Sequence, residues 1–200
     1  LRCLVGSEMC IRDSVKGEKY DFIAVVNSVN AYLKEAWMGT NSAGFALMNT
    51  QSYNLVDVKG DEERGAANGR VIYRALEVCA TVEDFCHFLD TISKPSDIEA
   101  NFGVIDAQGG AAMFEVDYHK YVMYDANNPK DAPYGYIART NFSFAGKVNE
   151  GAGYVRYMEA DQVLMKASAT GSITPQFIFN DLSRSFRNRM LDIDLRSGAY

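Results

Sequence analysis

Histidine is nearly absent from this sequence: two occur in 200 residues, His87 and His119. Neither falls in a G-x-S-x-G elbow or an H-E-x-x-H helix, so a serine triad and a zinc protease have no support. Cysteine is almost as scarce. The four present, Cys3, Cys10, Cys79 and Cys86, are too sparse for a disulfide scaffold and lack the short spacing of a metal site, so no metal is expected. Cys79 and Cys86 stand seven apart in a segment that reads as helical, which puts both on one face as core thiols rather than a redox pair. No apolar run approaches the roughly 20 residues that span a bilayer, and no basic segment followed by an apolar stretch opens the chain. Neither a membrane helix nor a signal peptide is therefore visible, and the compartment stays open. Positive charge is also short. With a formal charge of -6 and no stripe of Lys and Arg interleaved with aromatics, nothing offers a field to a phosphate backbone, and nucleic acid is not expected as a partner.

What the sequence does have is apolar bulk: 48% of residues are hydrophobic against 23% charged, enough for one domain with a real core. Residues 1–14, LRCLVGSEMCIRDS, follow neither the strand nor the helix period and resemble a translated sequencing-adapter tail. They are set apart as foreign, with native sequence expected over residues 15–200. The stretch FIAVVNS reads as a strand, and GFALMNT, after the turn signal GTNSAG, as its pair. Between Asn68 and Ser93 apolar residues recur at helical spacing, which fits two helices. Thr81 caps the second, with Glu83 and Asp84 in its first turn. NFGVIDAQGGAAMFEVD reads as a hairpin turning at Gln108–Gly110, HKYVMYD extends it, and GYIARTNFSF returns as a further strand. GYVRYMEADQVLMKA and TPQFIFNDLSRSF read as helices, the latter with Thr174 as cap and Pro175 at its first position. Strands and helices are grouped, not alternating. That order implies an α+β fold with segregated sheets and helices.

Few side chains stand out as chemistry. Cys86 and His87 are adjacent and so diverge on a helix, which makes them a poor nucleophile and base. Asp106, Glu115 and the Glu62–Glu63 pair read as solvated charges. Asparagine is more informative. Asn49 ends the apolar strand GFALMNT, and Asn141 ends GYIARTNFSF, each a neutral amide where a strand meets a loop. Such an amide can donate to a developing oxyanion without adding charge. It can equally cap a turn or a neighbouring strand, and for either Asn alone that plainer role is preferred.

The segments KYDFIAVVNS, EAWMGTNSAGFALMNTQSYNL, ANFGVIDAQGGAAMFEVD and GYIARTNFSF, in this order, resemble the penicillin acyltransferase and choloylglycine hydrolase branch of the N-terminal-nucleophile (Ntn) hydrolases. The resemblance runs from Lys19 to Phe186. Its most specific pieces are GTNSAGFALMN, similar to the family's N-x-x-G-(L/F)-(A/G)-x-x-x-N, and ARTN, similar to its (L/R)-T-N.

The resemblance implies a four-layer αββα sandwich, here incomplete at the N-terminus, and an N-terminal cysteine that attacks a linear amide with its own α-amino group as base. It implies no cofactor. Asn49 would donate to the oxyanion, Asn141 would do likewise or orient the nucleophile, and Arg156 in GYVRY loosely matches the family's later arginine. The implied substrate is a small N-acyl amide, hydrolysed or transferred through an acyl-cysteine. The opening cysteine and the following Arg and Asp motif have no counterpart after Val15. This chain is therefore expected to lack its nucleophile. A catalytically silent acyl-amide-binding domain of the same fold is the rival, and a hydrolase site at Cys79 or Cys86 is a third reading that a low thiol pKa would expose. Oligomeric state is open, a homo-oligomer included.

Overall fold

The computed structural model describes residues 2–3, 9–27, 34–56, 65–185, 187–188 and 192–194. Five strands come first: β1 (Arg2–Cys3), β2 (Met9–Val15), β3 (Phe22–Asn27), β4 (Met38–Asn41) and β5 (Ala46–Gln51). Two helices follow, α1 (Asn68–Val78) and α2 (Val82–Thr91), and then β6 (Ala100–Ile105), β7 (Ala111–Val116) and β8 (Tyr121–Asp125). All eight strands lie side by side in chain order in one antiparallel sheet. The chain then returns across the sheet into α3 (Tyr154–Ala169) and α4 (Pro175–Asn180), a 3-10 turn, and the short ribbon β9 (Arg187–Asn188) and β10 (Ile193–Asp194).

Side-chain alternation gives the sheet two unlike faces. On one, Phe22, Leu47, Phe102 and Phe114 are buried against Ile72 and Leu76 of α1 and Phe85 and Leu89 of α2. Phe85 sits at the centre, its ring 5.0 Å from Phe114 and 5.9 Å from Phe102 in edge-on contacts. Gly39 lets α1 come this close, since a Cβ there would stand 2.5 Å from the Ile23 carbonyl and 2.6 Å from Leu76 Cδ1. Buried amides tie the helices to the strands. Asn41 donates to the Leu76 and Cys79 carbonyls at the end of α1, at 3.0 and 2.7 Å. Asn68, opening α1, exchanges two hydrogen bonds with the Glu99 backbone beside β6.

The other face carries Ile23, Met38, Met48 and Ile105, exposed by 47, 47, 39 and 57%. With Met113, Ala126 and Ile137 they line an open apolar groove of about 560 Å³. Helices on one side and, among the described residues, an exposed apolar face on the other suit an αββα arrangement, in which two sheets pack face to face.

Four sequence expectations change here. FIAVVNS and GFALMNT are not paired with each other: β4, within the stretch read as a turn, lies between them, with Ile23 opposite Thr40 and Gly39 opposite Leu47. Met9–Val15, most of it read as following neither the strand nor the helix period, is a strand antiparallel to β3, with Arg12 opposite Ala24. Cys79 and Cys86 share no helix face. Cys79 ends α1, and the Thr81–Asp84 capping box starts α2 before Cys86, because reciprocal capping satisfies a new helix terminus. GYIARTNFSF forms no strand, since side chains from the sheet take the hydrogen bonds a neighbouring strand would supply.

Candidate active site

The return segment carries the site. It crosses the second sheet face over Thr50, Asn101 and Glu115, which are register neighbours on β5, β6 and β7 and form a polar row beside the apolar groove. Thr50 Oγ1 donates to the Thr140 carbonyl at 2.6 Å. Asn101 Nδ2 donates to the Thr140 and Phe142 carbonyls, each at 3.0 Å. Glu115 accepts from Arg139 Nε at 2.5 Å and from the Phe144 and Ala145 amides at 2.9 and 2.7 Å. Beyond the row, Asn54 grips the following turn by donating to the Ser143 and Lys147 carbonyls and accepting from the Ser143 amide.

Held this way, Asn141 has both ends of its carboxamide engaged. Its Nδ2 donates to the Gln51 carbonyl at the end of β5, at 2.8 Å, and its Oδ1 accepts from Arg156 Nη2 at 2.6 Å. Arg156 reaches it from the first turn of α3, whose N-terminus is set by Gly153 at φ 84°. A Cβ at Gly153 would lie 2.8 Å from Thr140 Oγ1 and 2.9 Å from Arg156 Nη2, so glycine is needed both for the left-handed backbone and for the arginine's approach. Phe142 stacks on Tyr154 with ring centroids 4.0 Å apart, which docks α3 onto the return segment.

Two of the three expected site residues, Asn141 and Arg156, therefore meet. Asn49 does not join them. It lies opposite Phe102, on the face that carries α1 and α2, one residue out of phase with Met48 and Thr50 on the groove side. Sequence reasoning missed Asn101, Glu115 and Arg139. Glu115, read as a solvated charge, is fully buried, and its partner Arg139 is 4% exposed. Arg139 also stacks its guanidinium on Phe144 at 3.8 Å and Tyr124 at 4.7 Å. The available signal was a carboxylate at an inward position of an apolar strand. Asp106, also read as solvated, closes the β6–β7 turn through the Gln108 and Gly110 amides and accepts from Val82 at the start of α2. These bonds, Val82's foremost, lower its pKa.

Cys79 and Cys86 do not offer a second centre. Burial pushes Cys79 up to about 12, and burial together with the charge of Asp90 raises Cys86, so neither is an activated thiolate. His87 and His119 are exposed. Among the described residues no cluster of His, Cys, Asp and Glu could hold a metal ion, and no helix is long and apolar enough to cross a membrane.

The sheet, its helix layer and the return segment have the fold of the Ntn hydrolases. An ortholog of N-acylethanolamine-hydrolyzing acid amidase from Caenorhabditis elegans shows the likeness with a TM-score of 0.54 at 15% identity, over 87% of this chain and 76% of that one. Residues 8–169 match the acyl-coenzyme A:6-aminopenicillanic acid acyl-transferase family, and the chain belongs to it. It is also similar to penicillin V acylase from Agrobacterium tumefaciens (18% identity, TM-score 0.48, 86% of this chain) and spans 60% of that chain. A variant of conjugated bile acid hydrolase from Clostridium perfringens aligns at 11% identity and a TM-score of 0.48 over 88% of this chain and 69% of that one. No curated protein matches in sequence.

Proposed function

We propose that the protein is a linear amide hydrolase or acyltransferase of the Ntn type, acting on small N-acyl amides through an acyl-cysteine, with Asn141 as oxyanion donor. The observation that carries this reading is the Asn141 carboxamide, fixed between the Gln51 carbonyl and Arg156. A carboxamide nitrogen has two hydrogens, so with one on Gln51 the other can serve a developing oxyanion. Arg156, bonded to Oδ1, polarises the amide and makes that hydrogen a better donor.

The nucleophile in this proposal is an N-terminal cysteine, and neither Cys79 nor Cys86, with thiol pKa values raised by burial, takes its place. Its thiol proton passes to its own α-amino group, whose ordinary pKa is about 7.7–8.0. The sulfur attacks the amide carbon and the carbonyl electron pair moves to oxygen, where Asn141 meets it. Collapse breaks the C–N bond, and the proton held by the α-amino group leaves with the amine. Water then releases the acid, or a second amine takes the acyl group, and either restores the thiol. Asn49, which the resemblance makes a second donor, faces α1 and α2 and is left out of this proposal.

The test is to recover the uninterrupted gene, express it, and look for an acyl-cysteine adduct by intact mass after incubation with a panel of N-acyl amides. An adduct on a processed N-terminal Cys is expected. Asn141→Ala should slow its formation about 100- to 1,000-fold, the usual cost of one oxyanion donor, and Asn49→Ala by much less. A full-length chain with no such Cys and no adduct would overturn the proposal and leave a silent acyl-amide-binding domain.

A further inference from the structure

We infer that Asn101 is the positioning residue for the Asn141 carboxamide, a role that rests on Asn141 being the donor proposed above. Asn101 is 1% exposed and sits on β6 at the centre of the polar row. Its Nδ2 grips the carbonyls of Thr140 and Phe142, the residues on either side of Asn141. Its Oδ1 accepts from Ser143 Oγ. One rigid amide, anchored in the middle of the sheet, thus fixes both peptide units that flank the donor.

The geometry needs such a grip because the return segment runs without a strand partner, and unpaired backbone carbonyls inside a fold cost heavily unless something donates to them. Thr50 supplies one further bond, to Thr140 alone, and Glu115 holds the segment through Arg139, Phe144 and Ala145. Only Asn101 reaches both sides of Asn141 among the described residues. Its two carbonyl bonds set the direction in which Asn141 leaves the backbone, and so whether its amide meets Gln51 and Arg156 together.

The test uses the 200-residue chain and Asn101→Asp, which keeps the side-chain shape and removes both donors. Heteronuclear NMR reads hydrogen exchange at the Asn141 carboxamide and the Arg156 guanidinium. In Asn101→Asp the Asn141 exchange rate should rise about tenfold, equivalent to about 1.4 kcal/mol, and the Arg156 signals should move to those of a free arginine. Ser143→Ala, which removes the bond to Oδ1 and the contact with Ser52 Oγ but neither carbonyl bond, should leave both near wild type. A merely structural Asn101 would lower the melting temperature and leave both signatures of the folded protein unchanged, and that result overturns the inference. If Asn101→Asp does not fold, the wild-type chain decides: Asn101 carboxamide protons should exchange as slowly as the β6 backbone amides, and exchange at the rate of a free asparagine overturns it. The two readings fail separately. Absence of an acyl adduct in the uninterrupted protein removes the amidase reading, while these signatures would still report the grip on Asn141.

Discussion

Removing the carboxylate of Glu115 should be among the most damaging single changes in the molecule. The side chain is fully buried and answers three donors at once: Arg139 Nε and the amides of Phe144 and Ala145. Glu115→Ala would leave the Arg139 guanidinium, itself 4% exposed, without its counter-ion between the rings of Phe144 and Tyr124. Losing one partner of a buried pair costs about 3–5 kcal/mol, because the remaining charge has neither water nor a partner. At this chain length each kcal/mol moves the midpoint by about 2–4 °C, so Tm should fall by about 6–20 °C. Urea and thermal unfolding followed by circular dichroism measure this directly. The double variant Glu115→Leu with Arg139→Met should recover much of the loss, since paired apolar replacements avoid the stranded charge. A Glu115→Ala loss under about 1 kcal/mol, the range of exposed ion pairs, would refute the argument that this pair is desolvated and anchors the return segment.

Other expectations can be checked on the same chain. Phe85→Ala empties the centre of the core between Phe45, Phe102 and Phe114 and should cost about 3–5 kcal/mol in urea unfolding; a loss near zero would mean that α2 does not pack as described. The Asp106 pKa is lowered in the folded state, so its contribution to stability is complete above the unfolded value of about 3.9 and disappears as pH falls through the folded one. Asp106→Asn should therefore flatten the stability profile below about pH 4, and an unchanged acid limb would contradict the role of the Val82 bond. With their thiol pKa values raised, Cys79 and Cys86 should be alkylated by iodoacetamide at pH 7 more slowly than free cysteine, as peptide mass mapping would show; fast labelling at either would revive an internal nucleophile. Ile105→Lys, at the most exposed of the large apolar residues in the groove, should reduce both dye binding to apolar surface and concentration-dependent association, and no change in either would argue that the groove is not the sticky face.

Much of the architecture was legible because periodicity reports directly on burial. The two helices between Asn68 and Ser93, the hairpin after it and the cap at Thr81 are local features, each written in a short window of sequence. What was not legible depended on partners distant in the chain. Met38–Asn41 looks like turn chemistry because Gly39 and Asn41 belong to residue types depleted in strands. It becomes a strand because β3 and β5 lie on either side and because Leu76, far along the chain, needs the space that Gly39 leaves. GYIARTNFSF fails in the opposite way. Its apolar and β-branched content suits a strand, yet the sheet meets it with side chains rather than with an edge, and local propensity yields to that tertiary pairing.

The same distinction explains how far the site could be read. The sequence singles out asparagine, but that residue class contains two jobs. Asn41, Asn54, Asn68 and Asn101 are buried and give their amides to backbone groups of other segments, substituting for hydrogen bonds the local chain cannot make. Among the described residues Asn141 spends one of its donor hydrogens this way, on Gln51, and has its oxygen on a cation. From sequence these amides look alike, since nothing in a one-dimensional neighbourhood says whether a carboxamide faces a carbonyl or open space. The site lies where the polar row Thr50–Asn101–Glu115 meets the apolar groove along the same three strands. The acyl amide proposed above would use that boundary, since its polar carbonyl needs a donor while its chain needs apolar surface. It arises because a shift of two residues along each strand keeps the face while changing the chemistry, from Met48, Gly103 and Met113 to Thr50, Asn101 and Glu115.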